Sequence, residues 1–377
     1  MIALRRDLHA HPELAFAEKR TTGVIVDVLE GLGLAPVLLP GGTGALCDIG
    51  DIGAAGPLVA LRADIDALPI ADQKEVPYRS VWDGACHGCG HDAHTAILLG
   101  AAARLVGAAL PGRIRLIFQP AEETLPGGAL AVIAAGGLSG VSQIFGLHCD
   151  PRLETGQVGL RVGAITAASD LVEVVLTGRG GHTARPQLTT DLVYALARVV
   201  TELPGLLSRR VDPRAALSLV WGAIEAGDAP NAIPAAGRVR GTLRVFDRDA
   251  WAGAEALVRG LVEQVVAPSG AQASTSYVRG VPPVVNDAQA VALQRAAVLA
   301  ALGPDGLAET EQSMGGEDFA WYLDEVPGAF ARLGVRPPGA EPFDLHQGTF
   351  DIDEAALEVG VAYTVALART ALAAASS

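Results

Sequence analysis

Two patterns of apolar and polar positions divide the chain. Over roughly the first 163 residues, short apolar runs alternate with longer stretches in which Ala and Leu recur at helical spacing. The predicted elements are strands at 57–62, 113–119 and 143–147 and helices at 92–110 and 128–138. Asp92 stands where it can cap the first of these helices. This alternation is typical of an α/β domain with a mainly parallel sheet.

Residues 169–279 follow a different order, which the same patterns predict as β-α-β-β-α-β, the ferredoxin-like arrangement. The predicted elements are strands at 169–177, 216–224, 236–246 and 272–279 and helices at about 189–203 and 249–267. The chain then returns to helix, strand and helix, and it ends in an amphipathic run at 353–375.

The second unit is therefore predicted to be inserted into the first. One discontinuous domain is expected from 1–166 and 278–377, and the other from 167–277. Hinge motion between them is expected near 164–168 and 275–281.

Charge and composition narrow the classes of partner. Lys and Arg number 28 and Asp and Glu number 42, so the formal net charge is −14, which argues against nucleic acid or an anionic membrane as partner. The sequence has no uninterrupted apolar run of about 20 residues, and we expect that the opening stretch is not a signal peptide. We therefore expect a cytoplasmic protein that binds a small molecule.

Potential metal ligands are densest in CHGCGHDAH, residues 86–94, just before or in the first turn of a predicted helix. Thiol and imidazole groups this close together indicate a transition metal. The alternative is a redox pair, because Cys86 and Cys89 have C-x-x-C spacing before a helix start. Three interleaved histidines favour the metal, since a redox pair does not need them.

Acidic and imidazole side chains also follow three predicted strands. Glu122 and Glu123 come after the strand at 113–119, and in extended backbone adjacent side chains point in opposite directions. One carboxylate is therefore free to bind a metal while the other takes a proton from water. Asp64 and Asp66 follow the strand at 57–62, and His148 follows the strand at 143–147. Parallel strands place such groups at one edge of a sheet, where open α/β sheets bind their ligands.

Eight segments, in order along nearly the whole chain, carry a resemblance to a known family. They are LRRDLHAHPEL (4–14), LRADIDALPI (61–70), CGHDAHTAILLG (89–100), FQPAEE (118–123), GLH (146–148), GRGGHTARP (178–186), APNAIP (229–234) and GEDFAWY (316–322). Together they resemble the amidohydrolase branch of the aminoacylase and carboxypeptidase-G superfamily. That branch includes hippurate hydrolases, auxin-conjugate hydrolases of plants and N-acetyl-cysteine deacetylases.

The resemblance implies a zinc-peptidase-like catalytic domain that holds two divalent metal ions per subunit, which could be zinc, manganese, cobalt or nickel. The residues that match the family's metal ligands are Cys89, His91, Glu123, His148 and His346. Glu122 matches the catalytic base. Where related family members often continue with Asn-Pro or Ser-Pro after the last of these histidines, Gln347 and Gly348 follow here.

Four further residues near the predicted ligands are not expected to bind metal themselves. By resemblance, Asp66 orients a ligand, and Asp64 stands where the peptidase branches carry a metal-binding histidine, so that Cys89 compensates for it. A thiolate between two ions can bridge them. His87 and His94 are expected to pack the helix or support ligands rather than bind metal.

The inserted domain resembles the family's lid and dimerisation domain, which implies a homodimer. By the same resemblance, His182 reaches the active site of the partner subunit and polarises the scissile carbonyl. Asn231 and Arg244 match positions that hold oxygen atoms of the substrate, and the planar guanidinium of Arg244 suits a carboxylate. An ordinary strand-face arginine is an equal interpretation of Arg244 from the residues alone.

The sequence thus predicts an amidohydrolase that cleaves small N-acyl amino acids. A carboxypeptidase or dipeptidase on the same scaffold is the alternative among enzymes. A non-catalytic, metal-stabilised binding protein is the alternative outside enzymes, and Glu122 argues against it because a closed structural site has no use for a spare base.

Overall fold

The structure, a computed structural model, describes residues 1–51 and 56–376. The chain forms two compact units. The first contains Met1–Ile165, Val284–Glu311 and Asp318–Ser377, and the second contains Thr166–Pro283 and Gln312–Glu317.

The first unit is built on a mixed sheet whose central strands are parallel, as predicted. Its eight strands in the described residues are, in spatial order, Val37–Leu38, Ala45–Ile49, Arg113–Gln119, Leu58–Asp64, Val141–Glu154, Gly328–Arg336, Val158–Leu160 and Leu307–Glu309. The four central strands run parallel, whereas Ala45–Ile49 pairs antiparallel with Arg113–Gln119. The short strand Gly163–Ala164 pairs separately with Val285–Asn286.

Helices cover both faces of this sheet. Along Leu58–Asp64 every residue is buried, and successive side chains enter the cores on opposite faces: Leu61 lies in one and Ala60 in the other. The helices of this unit are Ile2–Ala10, Lys19–Gly31, His91–Leu105, Ala129–Ala134, Ala288–Leu302 and Ala355–Ala375. The 3₁₀ segments Pro304–Gly306 and Asp318–Asp324 complete it.

The helix Ala355–Ala375 is long and apolar enough to cross a membrane by length and composition alone. Its apolar side chains belong to the core of the first unit, where Leu357, Val361 and Leu367 are at most 2% exposed. This burial accounts for its apolar character as a core helix.

The second unit has the predicted order β-α-β-β-α-β. Its sheet contains, in spatial order, the antiparallel strands Ser218–Ala226, Ala236–Val245, Ala168–Thr177 and Gln272–Val281. Its helices are Leu192–Leu207 and Arg248–Val266, and its 3₁₀ segments are Pro186–Leu188, Pro213–Ala215 and Ala267–Ser269. A separate two-stranded ribbon joins Gly181–His182 to Ala232–Ile233.

The limits of the units differ from the predicted ones by more than one residue in two places. The second unit continues to Pro283 and also takes in Gln312–Glu317, which was predicted to belong to the catalytic domain. Backbone pairing explains the second difference, because the Ala167 N–H donates to the Ser313 carbonyl at 3.0 Å. A contact this far along the chain leaves no periodic pattern in the sequence.

Two predicted helices are shorter than expected. The helix predicted at 92–110 spans His91–Leu105, because the chain turns extended at Val106, before Gly107. The helix predicted at 128–138 spans Ala129–Ala134 and is followed by a turn at Gly136, whose φ of 78° favours glycine.

Candidate metal centre

Parallel strands bring polar side chains to one edge of the first unit's sheet. Asp64 and Gln119 end neighbouring strands and are paired in register, and the next strand carries His148. These groups meet at one edge, as predicted, but two of them lie within longer strands than expected: Asp64 ends Leu58–Asp64, and His148 lies inside Val141–Glu154, which was predicted to end at 147.

The helix His91–Leu105, here called the site helix, brings Cys89 and His91 to this edge. It begins after Gly90, whose φ is 89°. A Cβ at this position would lie 2.9 Å from the Cys149 Sγ, so both the backbone conformation and the close approach require glycine. This turn places Cys89 before the helix and His91 in its first turn.

Asp92 was predicted to cap the site helix, but it does not. It is 1% exposed, and its carboxylate lies 2.7 Å from the Arg5 guanidinium and 2.7 Å from the His9 ring. Arg5 also donates to Asp351 at 2.7 Å. The first helix of the chain is thereby joined to the site helix by a buried charge pair, which is costly to break, and to the segment that follows His346 by a partly buried one. No role was predicted for Arg5 or His9, although both lie in the segment LRRDLHAHPEL.

Side chains of all five predicted ligands converge in the first unit. The Cys89 Sγ lies 3.3 Å from the His148 Nε2 and 3.3 Å from the His346 Nε2. The Glu123 Oε1 lies 3.3 Å from the His346 Nε2 and 3.9 Å from the His91 Nε2. The candidate ligand atoms of Cys89, His91 and His148 lie within 4.8 Å of one another, as do those of Cys89, Glu123 and His346. The five groups therefore form two overlapping sets that share a thiol.

The hydrogen bonds of two histidines use Nδ1 and leave Nε2 of each ring to face this centre. His91 Nδ1 lies 2.9 Å from the Asp66 carbonyl, and His148 Nδ1 lies 2.7 Å from the Cys149 carbonyl. A carbonyl only accepts, so each Nδ1 carries a proton and each Nε2 is the nitrogen that can bind a metal, which displaces any proton it carries. Among the described residues, the buried His91 Nε2 has no hydrogen-bond partner. A buried polar atom without a partner is costly, and a divalent ion at this centre would satisfy it.

The charged groups around the predicted ligands also favour binding of a cation. Burial, and then the carboxylates of Glu123 and Glu122, raise the pKa of the Cys89 thiol well above its ordinary value. Burial disfavours the charged ring of His91, but the carboxylates of Asp64 and Asp66 outweigh it and raise the pKa to about 10. A thiolate among these acids is stabilised by a bound metal cation, which adds the missing positive charge.

Glu122 and Glu123 lie in a turn rather than in extended backbone, so the expected alternation of their side chains is wrong. The turn follows Ala121, which has a φ of 56°. Glu122 nevertheless has a carboxylate within the set formed with His91 and Glu123, whose candidate ligand atoms lie within 4.8 Å of one another. Asp66 holds the turn: its two carboxylate oxygens accept the N–H groups of Glu122 and Glu123, both at 3.0 Å.

The other histidines of the motif have different surroundings. His94 uses both ring nitrogens, because Nδ1 lies 2.5 Å from the Asp64 Oδ1 and Nε2 accepts the Cys149 N–H at 2.8 Å. Neither ring nitrogen of the buried His87 has a hydrogen-bond partner among the described residues, and burial lowers its pKa to about 3. Asp64 lies 3.7 Å from the His91 Nε2 and also pairs with Arg62 at 2.6 Å.

The second unit brings His182 and Asn231 close together on the two-stranded ribbon. His182 pairs with Ala232, and the Asn231 carbonyl accepts the Thr183 N–H at 3.2 Å. His182 is exposed, and its Nδ1 accepts the Ala184 N–H at 3.0 Å. The neutral ring therefore carries its proton on Nε2, where it can donate a hydrogen bond.

Arg244 lies on a different strand of the second unit. Its guanidinium donates to the Met314 carbonyl, and burial lowers its pKa. It is therefore more than a solvated strand-face arginine, because it holds the segment 312–317 to the sheet.

Known proteins are similar to this chain in both sequence and fold. The sequence pattern of "Peptidase family M20/M25/M40" matches residues 60–370. An N-acetylcysteine deacetylase of Bacillus subtilis is 38% identical over 371 residues, which cover 98% of this chain and 96% of that protein. A Rhodococcus jostii protein named for glutamate–cysteine ligase activity is 53% identical over 369 residues. The alignment covers 98% of this chain but only 46% of that protein, so the chain spans about half the length of that relative.

The similar fold is that of a metal protein. The crystal structure of the Bacillus subtilis YXEP protein, described as a dinuclear metal-binding peptidase of family M20, superposes with a TM-score of 0.86 at 37% identity. The match covers 99% of this chain and 97% of that one. Since the family pattern covers most of the chain and the candidate ligands converge as a divalent metal centre requires, the chain belongs to peptidase family M20/M25/M40 and is a metal-dependent hydrolase.

Proposed function

We propose that the chain hydrolyses the amide bond of small N-acyl amino acids and releases a carboxylic acid and a free amino acid. Two divalent ions per subunit would be held by Cys89, His91, Glu123, His148 and His346. The observation that carries the proposal is the position of Glu122, a second carboxylate within reach of the ligand atoms of His91 and Glu123. Hydrolysis needs such a base beside the metals.

In the proposed reaction, the metal ions, Glu122 and Asp66 have separate roles. When bound, the two ions supply Lewis acidity, which lowers the pKa of water and polarises a carbonyl. Glu122 takes the proton of the water that attacks the acyl carbon and gives it to the leaving nitrogen. Asp66 orients the turn that carries Glu122. Sulfur, nitrogen and oxygen ligands together suit zinc, manganese, cobalt or nickel.

His182 is proposed to stabilise the oxygen of the scissile carbonyl in the partner subunit. Its Nε2–H supports this role, because a neutral donor aimed at a developing negative charge lowers the barrier. Asn231, which directly precedes the ribbon strand Ala232–Ile233, is proposed to hold a substrate oxygen. Arg244 is proposed to hold the substrate carboxylate through the N–H groups that do not donate to Met314.

The insertion at 167–277 is proposed to act as lid and dimerisation domain, closing about 164–168 and 275–281. One face of the second unit's sheet leaves Leu171, Val220 and Val278 between 45% and 62% exposed and forms an open groove of about 570 Å³, which supports coverage by another surface. We propose a homodimer, and the cytoplasm as its location.

A substrate series tests the proposed reaction. With metal-loaded protein, N-acetyl, N-benzoyl and indole-acetyl amino acids should be cleaved with a kcat/KM at least about tenfold above that of dipeptides with a free amino group. N-acyl amines that lack the carboxylate, measured as matched controls, should react more slowly, because Arg244 would have no substrate carboxylate to bind. Faster cleavage of dipeptides or of C-terminal residues of longer peptides would instead assign the chain to the peptidase alternative.

A further inference from the structure

Glu18 is a buried carboxylate that lies outside the set of predicted ligands. It precedes the helix Lys19–Gly31 and is 0% exposed. One carboxylate oxygen, Oε1, accepts the N–H of Phe16 at 2.9 Å and the N–H of Ala121 at 2.8 Å. The other oxygen is buried without a hydrogen-bond partner among the described residues.

Both residues that donate to Glu18 have left-handed backbone. Phe16 has a φ of 60° and Ala121 a φ of 56°. Within the described ranges, the other non-glycine residues with positive φ are Ala216 and His346, the last predicted ligand. Residues with a side chain rarely adopt this conformation and keep it only where their surroundings hold them. The Glu18 carboxylate stabilises this conformation at two of these positions, Phe16 and Ala121, by accepting their N–H groups.

The hydrogen bond between Ala121 and Glu18 also affects the position of the next two residues. The N–H of Ala121 donates to Glu18, and the N–H groups of Glu122 and Glu123 donate to Asp66. Three consecutive peptide groups are therefore fixed by two buried carboxylates. Because Ala121 sets the direction in which the chain leaves the strand Arg113–Gln119, it also sets where the Glu122 side chain starts.

We propose that Glu18 is a positioning residue, which fixes the turn Ala121–Glu123 and thereby holds Glu122 at the distance that proton transfer requires. The proposal rests on the proposed function only in giving Glu122 the role of base. Glu18 lies outside the segment matched by the family pattern, which begins at residue 60. It acts through hydrogen-bond acceptance, and its hydrogen bonds go to Phe16 and Ala121, neither of which is a predicted ligand.

The same segment offers a matched control. Glu13 also accepts two backbone N–H groups, from Arg20 at 3.0 Å and Thr21 at 2.8 Å. Both donors belong to the helix Lys19–Gly31, and neither is part of the turn at 121–123. Loss of either glutamate removes two hydrogen bonds from the same region, but only loss of Glu18 releases the turn.

Glutamine at position 18 separates hydrogen-bond acceptance from charge. Burial raises the pKa of Glu18 to about 7, so an uncharged amide of the same length is a close substitute near neutral pH. Glu18→Gln keeps a carbonyl oxygen for the two N–H groups, whereas Glu18→Ala removes it.

The experiment compares Glu18→Ala, Glu18→Gln and Glu13→Ala in full-length, metal-loaded protein. Glu18→Ala should lose about 100-fold in kcat with KM nearly unchanged, the size expected for a misplaced catalytic group. Glu18→Gln should stay within about threefold of wild type, and Glu13→Ala should lower the Tm with kcat also within about threefold. If Glu18→Ala keeps the wild-type kcat, or loses no more than Glu13→Ala, the proposal is wrong.

Amide hydrogen exchange of the peptide 118–123, followed by mass spectrometry, provides a measurement without substrate. Exchange should accelerate in Glu18→Ala and stay slow in Glu18→Gln and Glu13→Ala. Because it needs no turnover, this result separates failure of the positioning role from failure of the proposed reaction. If Glu18→Ala does not fold, Glu18→Gln is used for the test. A loss of about 100-fold in its kcat, with hydrogen exchange of the peptide 118–123 unchanged, contradicts the proposal.

Discussion

Glu122→Gln is expected to keep its metal and lose about 10²–10⁴-fold in kcat on an N-acyl amino acid, the usual contribution of a general acid–base group. The amide has nearly the shape of the carboxylate but takes no proton from water. Glu123→Gln is expected to lose metal as well as activity, because its Oε1 lies 3.3 Å from the His346 Nε2 in one of the candidate ligand sets. Metal content by elemental analysis and single-turnover rates measure the two effects separately.

Glu30→Gln is a suitable control, because Glu30 is exposed on the helix Lys19–Gly31 and lies outside the candidate ligand sets. It should match wild type in both metal content and kcat. A near-normal kcat in Glu122→Gln would remove its assignment as base, and equal metal loss in both site variants would make Glu122 a ligand instead.

The second expected effect is rescue of activity between two inactive proteins. If His182 serves the partner subunit, His182→Ala and Glu122→Gln homodimers should each be nearly inactive. After subunit exchange, a heterodimer has one site that combines intact Glu122 of its own chain with intact His182 of the partner subunit. An equal mixture should therefore recover about a quarter of the wild-type turnover per site, given a symmetric two-fold dimer.

Exchange must be verified by native mass spectrometry, and each parent protein incubated alone is the control. If heterodimers form and the mixture stays inactive, His182 acts on its own chain or has only a structural role. The metal chemistry of the first unit would stand in that case, because its candidate ligands all come from that unit.

The sequence predicts much of the fold because its patterns are local. The buried strand Arg113–Gln119 has the predicted limits, and the β-α-β-β-α-β order of the second unit agrees with its periodicity. The convergence of Glu123 and His148 was predicted from neighbouring parallel strands, although the strand with His148 continues to Glu154. His346 could be placed only by resemblance, since a histidine in a loop far along the chain carries no local signal.

The remaining features depend on long-range contacts. Asp92 has the sequence position of a helix cap, but its carboxylate pairs with Arg5, 87 positions earlier. The turn at Glu122 and Glu123 depends on Ala121 in left-handed backbone, held by Glu18 from 103 positions away. Alanine and glutamate at these positions carry no sign of either contact, so a periodicity argument expects extended backbone there.

Stepwise metal reconstitution tests the central claim, a hydrolase that uses two metal ions, most directly. Protein stripped by a chelator and verified metal-free by elemental analysis should not cleave N-acyl amino acids. Activity should return as Zn, Mn, Co or Ni is added and should reach its maximum at about two equivalents per chain. Full activity in verified metal-free protein, or a maximum at a single equivalent, would contradict the account.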